Sequence, residues 1–299
     1  MNKVVALLYC FIFSGLMISC NPTTSVDEYC VICPFDFRLI DYEPDWSPDG
    51  SKIAYVHNDT TIRRYGINLI NSDGTGKRSW HLGGSSPSWS PDGQWIAFEQ
   101  QGQIFKKNVT TDSLVQLTFN GRNFFPDWSS DGSSIAYNQS TCNEIIECGI
   151  WALDLASKSE KFISSYGNFP DWHPSNNSFL FETRVIQPDG TAIGDNIWLY
   201  NNDNETKKKI MFLEGENHFL SFSPDGRKLV FTSIRSGGDP QIWIIDMDGE
   251  NAKQLTTTSG YTSAWSPDGE WILFTKTSDS DGRLWRMKPD GSEKQPFTQ

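Results

Sequence analysis

One stretch of thirteen residues, PDWSPDGSKIAYV at Pro44–Val56, returns along the chain in fixed internal register. Its key aromatic recurs as Trp46, Trp89, Trp128, Trp172, Phe222 and Trp265, at spacings of 43, 39, 44, 50 and 43 residues. Seven residues after each aromatic stands Ile53, Ile96, Ile135, Phe179, Leu229 or Ile272, and nine after it Tyr55, Phe98, Tyr137, Phe181, Phe231 or Phe274. Between them lie Ala54, Ala97, Ala136, Leu180, Val230 and Leu273. A half-buried strand alternates apolar with polar residues, whereas this triplet is apolar on both faces. Such a strand needs a sheet packed against each side. A repeat of this length, unable to bury its faces alone, is satisfied by neighbours arranged radially in a closed ring.

The rest of each unit fits a four-stranded blade. In Ser-Pro-Asp-Gly, proline fixes φ for a tight turn, aspartate accepts backbone hydrogen bonds and glycine tolerates positive φ. INLINSDG, QIFKKNV, GIWALDL, NIWLYNN, QIWIIDMDG and RLWRMKPDG read as third strands, several ending in Asp-Gly turns. SWHL, LVQLT, KFIS, KIMFL, AKQLT and KQPFT read as weaker fourth strands. The expected fold class is all-β: a six-bladed β-propeller of four-stranded antiparallel blades over residues 42–299, preceded by a lipoprotein signal peptide. FRLID, before the first unit, also resembles a fourth strand, so the sequence leaves the closure of the ring open.

These residues resemble the TolB-like propeller repeats, a WD-like family marked by P-x-W-S-P-D-G-x-x-I-A-F, over nearly the whole mature chain. Three departures are local: Ser130 stands for proline in unit three, WHPSNN lacks the Asp-Gly turn in unit four, and Phe222 stands for tryptophan in unit five. The family's namesake carries an α/β domain ahead of its propeller. Here about twenty residues separate Cys20 from the first unit, so that domain is not expected.

Residues 1–19 carry Lys3 and then an almost wholly apolar run from Val4 to Ser19, short of the roughly 20 residues a spanning helix needs. LMISC resembles the bacterial lipobox, which makes Cys20 the lipidation candidate and residues 20–41 a leader. An ordinary cleaved signal and an uncleaved anchor are the alternatives, and all three place the chain outside the cytoplasm. Localisation is therefore expected at the bacterial envelope, membrane-anchored and facing the periplasm or the cell surface. Asn21 after the cysteine would permit outer-membrane sorting in some bacteria. Cys30, Cys33, Cys142 and Cys148 then remain as disulfide candidates. Proximity favours Cys142–Cys148, whose small loop is worth roughly 2.4 kcal/mol in chain entropy. The net charge of −12 argues against nucleic acid and against a polybasic membrane patch.

A propeller is a scaffold, so function has to be sought in its site. The turn carboxylates Asp49, Asp92, Asp131, Asp225 and Asp268 are read as holding their own turns, and the tryptophan series as core. The better candidates precede each unit's first strand, at the mouth of a central channel: Tyr42, Glu43, Arg122, Asn123, Phe124, Asn168, Phe169, Asn217, His218, Phe219 and Tyr261. Aromatics mixed with amides suit a peptide or a small polar ligand. Alanine at Asn123, Asn168 and His218 together is expected to abolish binding without unfolding. No Gly-x-Ser-x-Gly elbow is present, and prolyl-oligopeptidase relatives with such propellers depend on a separate hydrolase domain. Oligogalacturonate lyases use a related propeller with a His-rich metal site, but His57, His81, His173 and His218 lie in four different units. The expected function is a non-catalytic envelope lipoprotein, a monomer needing no cofactor or metal, that binds a protein or glycan partner at the mouth. The alternative is a metal-assisted polysaccharide lyase or hydrolase.

Overall fold

The computed structural model describes residues 40–59, 62, 64–141, 147–235, 238–277 and 282–299. These form an all-β six-bladed propeller whose blades are four-stranded antiparallel sheets of consecutive strands. Blade one contains β1 (Asp41–Trp46), β2 (Lys52–Asp59), β3 (Arg64–Asn71) and β4 (Arg78–Leu82). Blade two contains β5 (Ser85–Trp89), β6 (Trp95–Gln100), β7 (Gln103–Asn108) and β8 (Leu114–Gln116). Blade three contains β9 (Asn123–Trp128), β10 (Ser134–Gln139), β11 (Gly149–Asp154) and β12 (Glu160–Ser165). Blade four contains β13 (Gly167–Trp172), β14 (Ser178–Ile186), β15 (Ala192–Asn201) and β16 (Thr206–Glu214). Blade five contains β17 (Glu216–Phe222), β18 (Lys228–Ile234), β19 (Gln241–Asp246) and β20 (Lys253–Gln254). Blade six contains β21 (Tyr261–Trp265), β22 (Ile272–Lys276), β23 (Arg283–Met287) and β24 (Gln295–Pro296).

The apolar triplets occupy the second strand of every blade, and each of their eighteen residues is at most 2% exposed. Their two faces feed separate clusters, so the core is a set of blade interfaces rather than one centre. Ala54, Trp89 and Phe98 pack between blades one and two. Ala136, Trp172 and Phe181 pack between blades three and four. Leu180, Phe222 and Phe231 pack between blades four and five, and Val230, Trp265 and Phe274 between five and six.

Blade six meets blade one through Ile53, Tyr55, Leu273, Leu284 and Phe297, which resolves the closure left open by the sequence. Blade six takes its fourth strand from its own C-terminal residues, and the ring joins side by side. Ile40 N and Asp41 N donate to Gly282 O, at 2.7 and 2.8 Å. FRLID is thus not a fourth strand where it is described: Asp41 begins the innermost strand β1. Edge strands are short, apart from β16, whose Lys207, Lys208 and Lys209 blunt it with charge.

The Ser-Pro-Asp-Gly turns do what their chemistry predicts. Ser47 Oγ and Ser51 N donate to Asp49 Oδ1 at 2.6 and 2.9 Å, and Lys52 N donates to Ser47 Oγ at 2.9 Å. Asp92, Asp131, Asp225 and Asp268 repeat the serine contact. The turns also interlock around the ring. A Cβ on Gly132 would stand 3.3 Å from Pro91 of the preceding blade, and one on Gly50 would stand 4.0 Å from Pro267 across the junction. Residues 1–39, with Cys20, Cys30 and Cys33, and also Cys142, lie outside the described residues.

Removing buried methyl groups at one interface tests this packing. Leu180→Ala should lower unfolding free energy by about 2–5 kcal/mol. Leu114→Ala, on the exposed outer strand β8, should change it by no more than about 0.5 kcal/mol in the same denaturant titration.

Candidate functional site

The segments expected to precede the first strands are themselves the first strands, and they stand around the axis. Each carries a bulge three residues before its key aromatic, where the pairing register shifts. At that position Glu43, Ser86, Phe125, Phe169, Phe219 and Thr262 all adopt positive φ, from 37° to 55°. A non-glycine residue held there costs about 1–3 kcal/mol, so the surrounding ring must enforce it. Its recurrence in all six blades marks it as part of the architecture. The bulge turns these six side chains toward the axis, and all six line one central cavity of about 130 Å³.

The wall of this cavity is divided. Blades three, four and five contribute Phe125, Phe169 and Phe219, with ring centroids 4.5 Å apart for the first pair and 4.4 Å for the second. Tyr261 extends the group, 5.2 Å from Phe219. Blades one, two and six contribute Glu43, Ser86 and Thr262, which bond to one another. Ser86 N donates to Glu43 Oε2 at 2.8 Å, and Glu43 N donates to Thr262 Oγ1 at 3.2 Å across the junction.

Two residues deeper lie Asp45, Asp127 and Asp171, which staple blades together. Each accepts the backbone N–H of the next blade's key aromatic: Trp89 to Asp45 and Trp172 to Asp127 at 2.6 Å, and Phe222 to Asp171 at 2.9 Å. Ser88 Oγ adds a bond to Asp127 Oδ1 at 3.0 Å. Hydrogen bonds to a carboxylate are stronger than those between neutral groups, and these bonds offset part of the cost of burying the three aspartates. Sequence reading passed over these three. Their signal was an aspartate directly before the key tryptophan in blades one, three and four only.

The expected mouth residues divide into two groups. Glu43, Phe169 and Phe219 line the cavity. His218 packs 5.5 Å from Phe169, and Tyr261 joins the same aromatic group. Asn168 is half-buried and accepts from Asn138 Nδ2 at 3.1 Å, and Tyr42 is buried beside Val56 and Tyr261. Arg122 is exposed, 5.8 Å from the Phe124 ring. Asn123 and Asn217 do not reach the opening, and both are 0% exposed. Asn123 Nδ2 donates to Thr118 Oγ1 and Asn120 O, and Asn217 Nδ2 to Asp195 Oδ2 and Gly215 O. Alanine at Asn123 would therefore cost stability, and the triple variant is not a clean test of binding. The residue turned inward in blade three is Phe125, one beyond the expected Phe124.

The four histidines each have local surroundings. His57 meets Asp41 at 2.7 Å, His81 meets Gln100 at 3.1 Å, His173 packs 4.9 Å from Phe222, and His218 meets Glu182 at 3.4 Å. Among the described residues, no three His, Cys, Asp or Glu side chains are arranged to hold a metal ion.

Burial sets the electrostatics. It pushes Glu43 and Asp45 up to about 7 and Asp127 up to about 6, and it raises Asp171, with Asp127 adding like-charge repulsion. Beside the mouth, burial raises Glu182 and takes Asp195 up to about 7, although Arg184 pairs with Asp195 at 2.9 Å. Burial and Arg184 bring His218 down to about 4, so its imidazole is neutral at pH 7. A carboxyl whose folded pKa exceeds its unfolded one binds protons preferentially in the folded state, so its contribution falls as pH rises through the folded value. Wild-type stability should therefore fall more steeply than that of Asp171→Asn between about pH 5 and pH 8. Equal slopes in parallel denaturant titrations would remove the assignment.

Comparison with known proteins agrees with this geometry. The family profile described as TolB beta propeller domain matches residues 35–189 and 170–299. An uncharacterized peptidase, YuxL, of Bacillus subtilis is 32% identical over 110 residues, 36% of this chain and 16% of that protein. The Tol-Pal system protein TolB of Anaeromyxobacter dehalogenans is 28% identical over 123 residues, 40% of this chain and 27% of that protein. The crystal structure of TolB from Acinetobacter baumannii superposes with a TM-score of 0.70 at 23% identity, covering 81% of this chain and 62% of that one. The chain thus spans less than two thirds of the length of each of these proteins. With the repeat, the six blades and the matched profile in agreement, the chain belongs to the TolB beta propeller domain family.

Proposed function

We propose that this protein is a non-catalytic envelope lipoprotein whose propeller captures a segment of a partner protein at the channel mouth. The observation that carries this reading is the Phe125–Phe169–Phe219 group, half-buried around a cavity rather than packed away in a blade interface. The same face of the ring carries further apolar side chains on its connections. Leu82 ends β4, Phe119 precedes β9 and Tyr166 precedes β13, and all three are exposed. The opposite face carries the polar turns between first and second strands, Ser-Pro-Asp-Gly in blades one, two, five and six. An apolar rim around an aromatic-lined opening is the composition of a protein-binding surface.

A protein segment fits better than a glycan. Sugars stack on a flat, open ring face, whereas these phenylalanines lean on one another at 53° and 49°. The lipid anchor at Cys20 and the envelope location rest on the LMISC motif and the apolar run before it. The pairing of Cys142 with Cys148 belongs to the same extracytoplasmic reading, and it is supported by Cys148 being disulfide-bonded.

Capture of envelope proteins on the immobilised full chain tests the mouth. Phe169→Ala should lose the captured partner, while Leu114→Ala, outside the mouth, should keep it. Equal capture by both variants would remove the proposal. Cys20→Ala should move the protein from the membrane fraction to the soluble fraction, and unchanged membrane association would remove the anchor.

A further inference from the structure

Among the described residues, the cavity wall holds four carboxylates, Glu43, Asp45, Asp127 and Asp171, and no Lys, Arg or His. Buried charges are ordinarily paired with an opposite charge, and here the wall supplies none. The interblade staples explain why aspartates stand here. They do not neutralise them, because a backbone N–H brings no net charge. Glu43 is held in a similar way, by the backbone N–H and hydroxyl of Ser86 in blade two, and gains no opposite charge either. A second observation points inward as well. Ser263 lines the same cavity, is 8% exposed, and its Oγ has no hydrogen-bond partner.

The order of the layers along the strands selects a ligand shape. A group entering from the mouth passes the three phenylalanines first and reaches the aspartates two residues deeper, about 6–7 Å along an extended strand. An apolar stem ending in a cation matches that order, because such a stem buries against apolar surface while its charged head stays in a polar one. We propose that the channel receives an ammonium group carried on an apolar stem, either a lysine side chain or the free amino terminus of the captured segment. The proposal rests on the binding reading of the mouth and specifies its chemistry: the stem lies against Phe125, Phe169 and Phe219, with Glu43 across the channel at the same level, and the ammonium sits among Asp45, Asp127 and Asp171 below them.

A dependence on pH follows. With Glu43 and Asp45 pushed to about 7 and Asp127 to about 6, the empty channel holds part of its carboxyl protons at neutral pH. Among the described residues, the other titratable groups that bear on this site are Glu99, Tyr42 and Tyr65, a carboxyl and two phenols, which cannot carry positive charge. His218 stands beside Phe169 and is itself neutral there. Blades two, five and six add only Ser86, Ser88, Ser221, Thr262 and Ser263 as polar side chains. An entering ammonium displaces protons, so binding strengthens as pH rises and releases protons to the buffer.

Calorimetric titration of the full chain with three short peptides tests this. Two are blocked at both ends and carry lysine or uncharged norleucine at the centre. The third carries leucine at a free amino terminus. One or both ammonium-bearing peptides should bind at least about tenfold more tightly than the norleucine peptide, and which of them does so names the source of the charge. The affinity should rise between about pH 5 and pH 7, where both kinds of amine stay protonated, with proton release, and Asp45→Asn or Asp171→Asn should lower it about tenfold while sparing norleucine binding. Equal binding of all three peptides, or an affinity flat with pH, would overturn the ammonium while leaving the mouth as a binding site. No binding by any peptide would also overturn it, whereas the capture experiment with Phe169→Ala reports on the mouth independently.

Discussion

The structure depends on contact between neighbouring sheets through strands that are apolar on both faces. Ile53-Ala54-Tyr55 and its five counterparts put side chains out of both sides of every blade, and each side has to meet another blade. Radial stacking provides two neighbours for every sheet, and the junction of blades six and one through Tyr55, Leu273 and Phe297 completes the circle. Everything near the axis follows from that circle being small. Six first strands crowd together, and each relieves the crowding with a bulge at the same position. The bulge decides which side chain faces the channel.

Because the bulge is geometric, its occupant is free to vary, and this chain uses that freedom unevenly. Three adjacent blades place phenylalanine there, and the other three place glutamate, serine and threonine. Two residues on, the position supplies a carboxylate in blades one, three and four, and serine or alanine in the rest. The ring is thus nearly six-fold in backbone and strongly asymmetric in chemistry. Its aromatic arc, polar arc and deeper acid layer together form the candidate site.

How much of this could be read from the sequence depends on how local each feature is. The blades were legible because the triplet keeps a fixed distance from its aromatic, and the turns because Ser47, Asp49 and Gly50 act within four residues of one another. Phase near the axis was less legible. RNFFPDW presents two phenylalanines, and only the bulge selects Phe125 over Phe124. Asn123 and Asn217 look like mouth residues in sequence, yet each turns back toward the preceding blade, onto Thr118 and Asp195, 5 and 22 residues away. The staples of Asp45, Asp127 and Asp171 were hidden because their partners lie a whole blade distant, 44, 45 and 51 residues along the chain.

Cooperativity across the ring joins these features. In a closed ring each blade covers two others, so removing one uncovers apolar surface on both sides of the gap. Differential scanning calorimetry of the full chain and of a chain lacking residues 261–299 measures this directly. A single transition in the full chain, with matching calorimetric and van't Hoff enthalpies, that is lost in the shortened one is the predicted result. A five-blade remnant that still melts in one sharp transition, with only a proportionate loss of enthalpy, would contradict the account.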